Sequence, residues 1–331
     1  MPQEMLELYI GKGEPLEKRN KVLPEYEPIT GAEKAENYIA PSELRQAVNV
    51  ALALGQPLLI TGEPGTGKTR LANSIAYELG VPLLEYYTKT NSTATDLFYQ
   101  YDALLRFQDI HLEVQKPMEA YITFHALGEA ILLANPGEMA LSFLRPEFKK
   151  KVPTRSVVLI DEIDKAPRDL PNDILNEIER MSFTVKEAGW RFEANQRHRP
   201  IIVMTSNTEK DLPDAFLRRC VYYHIPFPDS EKLKEIVKRR FADDHQFSSE
   251  FESRSLEKAL KLFEAIRGLD LRKKPATAEF IGWLSILMAV GIDLSQPFND
   301  RQKEQLKMSY SVLAKNNHDL ERMRNYDAVI E

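Results

Sequence analysis

The chain contains little that would indicate disulfide, metal-cluster or membrane chemistry. Its single cysteine, Cys220, permits neither an internal disulfide nor a zinc site built from cysteines. The six histidines include no His-Glu-x-x-His arrangement. No apolar run is long enough to span a bilayer, and the start Met1-Pro2-Gln3-Glu4 is unlike a signal peptide. We therefore expect a cytoplasmic protein.

The charge balance is unlike that of a protein that coats DNA. Non-specific binding to DNA needs many phosphate contacts from Lys and Arg, whereas this chain has a net charge of −6. Nucleic acid is therefore an unfavoured partner, although a local basic track stays open. With 331 residues, the chain is long enough for two domains, each with its own core.

A glycine-rich segment matches the phosphate-binding pattern Gly-x4-Gly-Lys-[Ser/Thr] at every fixed position. An apolar run precedes it and a helical stripe from Arg70 to Leu79 follows it, which aims backbone N–H groups and a helix N-terminus at phosphates. Lys68 is expected to reach the β- and γ-phosphates and Thr69 to hold Mg²⁺. The alternative, an ordinary glycine turn, is disfavoured by this context. The predicted phosphate-binding residues are Gly62, Glu63, Pro64, Gly65, Thr66, Gly67, Lys68, Thr69 and Arg70.

Two further apolar runs end in polar residues suited to hydrolysis of a phosphoanhydride. Asp161 and Glu162 follow the first run, and we expect Asp161 to hold Mg²⁺ and Glu162 to polarise an attacking water. Asn207 follows the second run and is expected to orient that water. Taken singly, the acidic pair also suits a capped helix start, and Asn207 suits a turn.

The order of apolar runs predicts the fold class and the domain boundaries. Strands that alternate with helices predict a parallel sheet covered on both faces. We predict a polar N-terminal arm over residues 1–37, an α/β nucleotide-binding domain over 38–229 and a small all-helical domain over 230–331. Ser42 is expected to cap the first helix and Gly55 to end it. The predicted strands are Pro57–Thr61, Pro82–Tyr87, Val157–Ile160, Ile201–Thr205 and Val221–Ile225.

Three apolar stripes predict the helices of the second domain. The first stripe runs from Leu256 to Phe263, and the second begins near Thr277. The third contains Leu306, Tyr310 and Leu313.

Adjacent arginines, Arg218 and Arg219, follow the Asn207 strand along the chain. Paired arginines at a helix end are usually a solvated face. Their place in this order also suits an arginine finger, which one subunit presents to its neighbour's nucleotide. The sequence does not distinguish which of the two would be the finger.

Together these motifs resemble an AAA+ ATPase, and the chain is similar to the MoxR-like branch with its helix-2 insert. The resemblance covers roughly residues 38–320. It implies Mg²⁺-dependent ATP hydrolysis by a homo-oligomeric ring, a hexamer, that remodels a client or adaptor protein. The partner in this branch often carries a von Willebrand factor A domain. The phrases that carry the branch resemblance are Ala51–Ile60, Asp161–Pro167 and Lys274–Glu279.

The resemblance also implies an arginine in the helical domain that touches the phosphates. Arg272 is the candidate, although Ala276 and Ala278 lie one turn later, where the family arginine is expected. A solvated basic loop over Arg272–Lys274 is the alternative.

The stretch between Lys68 and Asp161 is longer than a strand and two helices need. Weak alternation over His111–Val114 and Ala120–Phe124 predicts a β-hairpin insert near residues 107–124. A second hairpin is predicted near residues 183–193. In rings of this type such hairpins face the central channel or a partner, and plain surface decoration is the alternative.

Two functions from other classes stay open at this level. One is a nucleic-acid motor or a DNA-linked GTPase, against which the acidic net charge argues. The other is a nucleotide switch that scaffolds a complex without hydrolysis, against which Glu162 and Asn207 argue. Turnover of ATP and GTP, with and without DNA, separates the three hypotheses.

Overall fold

The computed structural model of the chain describes residues 35, 38–149, 152–207, 212–241, 255–294 and 296–326. Apart from Ala35, the predicted N-terminal arm therefore lies outside the described residues. The rest divides into an α/β unit that ends at Pro226 and a helical unit that begins at Phe227.

Five parallel strands form the central sheet of the α/β unit. In order across the sheet they are β2 (Leu83–Tyr87), β5 (Val157–Asp161), β8 (Ile201–Ser206), β1 (Leu58–Gly62) and β9 (Val221–Ile225). Buried parallel strands read as continuous apolar runs, which is why these strands could be predicted. Helices flank the sheet, so the predicted fold class, a five-stranded parallel sheet followed by a helical region, is confirmed.

The register of the sheet brings polar strand ends together at one edge. On β1, Ile60 pairs with Thr205 of β8, and on β5, Ile160 pairs with Met204. Because the strands are parallel, their carboxyl ends lie side by side, where ligands of open α/β sheets bind. The flanking helices are α1 (Ser42–Leu54), α2 (Lys68–Leu79), α4 (Ala126–Ala134), α5 (Glu138–Phe143), α6 (Leu170–Asp173), α7 (Leu175–Arg180) and α8 (Asp214–Leu217).

The ends of α1 correct one prediction and support another. Gly55 ends the helix in the left-handed conformation, with φ of 62°, as expected for a C-terminal glycine. Ser42 does not cap the helix. It is the first helical residue, Pro41 holds the N-cap position, and no side chain there accepts a capping hydrogen bond.

The hairpin predicted near residues 107–124 is wrong in its first half. Helix α3 (Ala103–His111) occupies that half, and the Asp102 carboxylate caps it by accepting from Leu105 N–H at 2.8 Å. Glu113 then has φ of 56°, which no strand accommodates. The antiparallel partner of β4 (Ile122–Phe124) is β3 (Tyr99–Tyr101), so α3 lies between two short paired strands.

An antiparallel pair, β6 (Ser182–Val185) and β7 (Trp190–Glu193), lies where the second hairpin was predicted. It packs on the first insert through Phe183, whose ring lies 5.1 Å from that of Phe98. The Tyr99 hydroxyl accepts from Lys186 N–H at 3.2 Å and donates to Glu187 Oε2 at 2.9 Å. The two inserts are therefore joined by ring packing and by hydrogen bonds.

A close backbone approach fixes the first insert against α4. A Cβ atom on Gly128 would lie 2.0 Å from the Phe98 carbonyl oxygen, so only glycine fits there.

The helical unit contains five helices in the part of the chain that the structure describes. Buried aromatic and aliphatic side chains form its core, and the Trp283 indole N–H donates to Ser309 Oγ at 2.7 Å. Leu306 lies in the fourth helix, whereas Tyr310 and Leu313 follow its end and are buried in the turns beyond it. The helices are α9 (Ser230–Arg240), α10 (Leu256–Gly268), α11 (Thr277–Val290), α12 (Asp300–Ser309) and α13 (Asn317–Arg324). Among the described helices of both units, none has the length and apolar character to cross a membrane.

Candidate functional site

The glycine-rich loop leaves the carboxyl end of β1 and enters α2. Gly65 and Gly67 have φ of 77° and 89°, which residues with a side chain rarely adopt. At Gly62 a Cβ atom would lie 2.7 Å from the Ile225 carbonyl oxygen of β9, so the loop must pass close to that strand. Helix α2 begins at Lys68, and a helix N-terminus presents backbone N–H groups to an anion.

Lys68 is buried at the start of this helix. Its ammonium donates to the Gly62 carbonyl at 2.8 Å, the Glu63 carbonyl at 3.0 Å and Asn207 Oδ1 at 2.8 Å. Burial lowers its pKa, while the nearby carboxylates, Asp164 first among them, act in the opposite direction. The loop and the end of β8 are therefore joined through one buried cation.

Asp161 ends β5 beside the same helix. The Thr69 hydroxyl donates to its two carboxylate oxygens at 3.1 and 3.3 Å. The Thr205 hydroxyl of β8 also donates to Asp161, and it accepts from the Glu162 N–H at 2.8 Å. The two residues predicted to hold Mg²⁺ thus lie in contact, and a third residue orients one of them.

Glu162 follows Asp161 in the left-handed conformation, with φ of 55°. Its carboxylate accepts a hydrogen bond from the Lys165 ammonium and another from Asn207 Nδ2 at 3.3 Å. The Lys165 hydrogen bond is the main reason that the pKa of Glu162 is lowered, and Asn207 adds to it. Glu162 is therefore ionised at neutral pH and is held close to Asn207.

Asn207 connects the two halves of the site. Its side-chain oxygen accepts from Lys68, its side-chain nitrogen donates to Glu162, and its backbone N–H donates to Asp164 Oδ1 at 3.3 Å. The amide therefore bridges the cation at the loop and the carboxylate predicted to act as base.

The paired arginines differ in their surroundings. Arg219 forms an ion pair with Glu179 of the same chain at 2.6 Å. Arg218 is exposed and has no ion pair with any residue that the structure describes. Arg272 lies in the helical unit, where its exposed side chain stands on a loop held by Asp319. Burial alone would raise the pKa of Asp319, but backbone N–H groups that include those of Arg272 and Lys273 lower it to about 2.

Three residues that sequence reasoning missed support the site. Thr205 is the polar residue two positions before Asn207 in an apolar strand, and that position was the available signal. Lys165 lies three residues after Glu162, the spacing of a helical ion pair. Tyr38 packs beside the loop, because a Cβ atom on Gly67 would meet its ring at 3.3 Å. No motif on the chain indicates that contact.

The donor atoms at this edge suit Mg²⁺ bound together with phosphates. Mg²⁺ prefers oxygen ligands and is usually bound by one or two carboxylates plus substrate phosphates. Thr69 and Asp161 supply a hydroxyl and a carboxylate in mutual contact. No cluster of three or more acidic, histidine or cysteine ligands that could hold a metal ion by themselves occurs among the described residues.

We expect Thr205→Val to destabilise the α/β unit by about 1–3 kcal/mol, because the Glu162 N–H loses its buried acceptor. Urea unfolding measures the change. The matched control is Thr88→Val, since the buried Thr88 hydroxyl has no hydrogen-bond partner among the described residues. That control is expected to be neutral or slightly stabilising. Equal effects of the two substitutions would show that Thr205 does not orient the acidic pair.

Comparison with known proteins agrees with this geometry. Residues 57–220 match the AAA domain family, dynein-related subfamily, over about half of the chain. No curated protein matches the chain. The matched segment contains the glycine-rich loop, the Asp161–Glu162 pair, Asn207 and both arginines. The α/β unit therefore carries an AAA domain of the dynein-related subfamily, and the protein is an AAA-type ATPase.

Proposed function

We propose that this ATPase works as a Mg²⁺-dependent, MoxR-type ring that couples ATP hydrolysis to remodelling of a partner protein. The observation that carries the proposal is the Asn207 amide, which bridges Lys68 of the glycine loop and Glu162 of the acidic pair. The matched domain also occurs in MoxR-type proteins, which supports the branch.

Binding of ATP uses the loop and the start of α2. The backbone N–H groups of residues 65–70 would donate to the phosphates, and Lys68 would exchange its carbonyl acceptors for phosphate oxygens, since its three present acceptors are neutral. Thr69 and Asp161 would hold Mg²⁺, which would supply positive charge to the phosphate oxygens. The helix N-terminus adds a favourable field for the anion.

Hydrolysis uses Glu162 as the general base. Its carboxylate is ionised at neutral pH because Lys165 and Asn207 donate to it, so it can accept a proton from the attacking water. Asn207 would orient that water toward the γ-phosphate. The left-handed backbone at Glu162 turns the carboxylate away from the path of β5.

Completion of the site requires a cation from a neighbouring subunit. Within one chain, Arg219 is already paired with Glu179, whereas Arg218 is exposed and available. We assign the arginine finger to Arg218. This assignment requires a homo-oligomeric ring, for which a hexamer is the expected form, and Arg272 stays a predicted second cation.

Contact with the client is assigned to α3 and the turn after it. Large apolar side chains there are exposed, with Phe107 at 59% and Leu112 at 72%. The turn itself is fixed, because Lys116 forms an ion pair with the buried Asp109 at 2.8 Å. Exposed apolar groups on a rigid loop are typical of an interaction surface. A partner with a von Willebrand factor A domain fits the MoxR-type proposal.

We expect Glu162→Gln to bind ATP and to hydrolyse it at least about 100-fold more slowly, because the water loses its base. Lys68→Ala is the companion variant and is expected to lose ATP binding itself. Binding of a fluorescent ATP analogue and release of phosphate measure the two steps separately. Normal turnover by Glu162→Gln would remove Glu162 from the mechanism.

We expect Arg218→Ala to keep ATP binding and to lose most hydrolysis, since a finger in trans contributes about 10³–10⁵ in rate. Mixing this variant with Lys68→Ala tests the subunit interface, because the Lys68→Ala subunit still offers Arg218 to its neighbour. The mixture should regain part of the activity. Arg219→Ala is the competing variant, and loss of activity in it alone would move the finger to Arg219. Concentration-independent hydrolysis by a monomer would contradict the ring.

We expect Phe107→Ser with Leu112→Ser to lose client capture while basal ATPase stays within a few-fold of wild type. Both side chains are exposed, so the double variant removes no core contacts. The control is Met139→Ser with Val152→Ser, two apolar side chains that are also exposed in the same unit. Proteins retained from a lysate of the native host are compared by mass spectrometry. An unchanged set of retained proteins would show that α3 is a surface element that does not bind the client.

A further inference from the structure

A cavity of about 410 Å³ lies between the two inserts and α7 of the α/β unit. Phe98 and Phe183 line it with their stacked, buried rings. The exposed part of the lining comes from polar and charged side chains, which are Thr95, Asn176, Arg180, Thr184, Lys186 and Arg191. None of the residues proposed to bind or hydrolyse ATP lines this cavity.

Three cations line the cavity. Arg180 ends α7, Lys186 lies in the turn between β6 and β7, and Arg191 lies on β7. Arg191 approaches one carboxylate, Glu193, at 3.8 Å. Neither Arg180 nor Lys186 has an ion pair with any residue in the described ranges. A concave surface with unneutralised cations favours an anionic ligand.

A single carboxylate modifies this preference. Glu177 also lines the cavity, and its Oε2 atom is buried without a hydrogen-bond partner among the described residues. A buried carboxylate oxygen without a donor is costly. The fitting ligand must therefore bring a hydrogen-bond donor as well as negative charge.

We propose that this cavity binds an acidic peptide segment of a protein partner. The carboxylates of the segment pair with Arg180, Lys186 and Arg191, and a backbone N–H of the segment donates to Glu177 Oε2. The inference rests on the proposed function in one respect, namely that the chain acts on another protein. It adds a chemical class of client and a second contact surface beside α3.

The same lining disfavours nucleic acid. A phosphate backbone has no N–H group to donate to Glu177, whereas a peptide backbone has one at nearly every residue. Recognition of single strands uses exposed aromatic side chains on which bases stack. The aromatic residues that line this cavity, Phe98, Tyr99 and Phe183, are all buried. An acidic peptide meets both requirements of the site.

The cavity is preorganised by contacts that already hold the inserts together. The Tyr99 hydroxyl fixes the β6–β7 turn by accepting from Lys186 N–H and donating to Glu187. The backbone from which the Lys186 side chain extends is therefore held in place. Preorganisation of this kind lowers the entropic cost of binding an extended segment.

The test is binding of a labelled twelve-residue peptide rich in Asp and Glu, measured by fluorescence anisotropy on the full chain. A peptide with Asn and Gln in the same positions is the neutral control, and a single-stranded oligonucleotide of similar charge tests the nucleic-acid alternative. We expect the acidic peptide alone to bind, with an affinity that falls as salt rises.

Arg180→Gln with Lys186→Gln is expected to weaken this binding at least about fivefold, as the loss of two exposed ion pairs predicts. The control is Arg45→Gln with Arg197→Gln, which removes the same charge from exposed positions outside the cavity. Thermal melting confirms that both double variants fold. Equal weakening in both, tighter binding of the oligonucleotide, or no peptide binding by wild type would overturn the proposal.

Failure of the proposed function would be seen in a different measurement. Wild-type protein that binds the peptide without hydrolysing ATP would contradict the ATP-driven mechanism and leave the peptide site intact. Wild-type protein that hydrolyses ATP without binding the peptide would contradict the peptide site and leave the ATP-driven mechanism intact.

Discussion

A buried lysine at the end of a parallel sheet is the constraint on which the site depends. Removing the Lys68 ammonium from water is costly unless all three of its protons are taken up by acceptors. The Gly62 and Glu63 carbonyls and the Asn207 side chain supply those acceptors. The loop must therefore curl around its own lysine, and β8 must end beside it. The glycines of the loop follow from this requirement, because the curl needs left-handed backbone at Gly65 and Gly67.

The sheet register brings the other polar residues of the candidate site to that local arrangement. Since β1, β5 and β8 are parallel neighbours, the residues that follow their apolar cores come to one edge. Thr205 then lies where its hydroxyl can donate to Asp161 and accept from Glu162 N–H. This hydroxyl offsets the left-handed backbone at Glu162, a conformation that costs of order 1–3 kcal/mol for a residue other than glycine. The strained backbone at Glu162, the proposed base, is thus stabilised by a hydrogen bond to Thr205 of the neighbouring strand.

The sequence allowed prediction of the sheet, the loop and the polar strand ends, because each has a local pattern. Continuous apolar runs identify β5 and β8, and the glycine spacing identifies the loop. Helix α3 was missed because the weak alternation over His111–Val114 and Ala120–Phe124 was followed. Leu104, Phe107 and Ile110 recur at helical spacing, and they are exposed in the structure. The structural partners Thr205 and Lys165 were missed because their roles depend on which strands are neighbours and how the chain turns after β5. Arg218 and Arg219 are adjacent in sequence, and it takes the structure to distinguish them, because Arg219 forms an ion pair with Glu179.

The two inserts keep the proposed partner surfaces apart from the candidate nucleotide site within one unit. The residues of β3, α3 and β4 enter the chain between α2 and α4, and β6 and β7 enter between α7 and β8, so neither insert interrupts a strand of the sheet. Residues 163–181 are the covalent link from Glu162 to the cavity at Arg180. Ile163, Leu170, Ile174 and Ile178 bury this link in the core of the α/β unit. Because a close-packed core resists deformation, the segment that carries Glu162 and the segment that carries Arg180 share one rigid support.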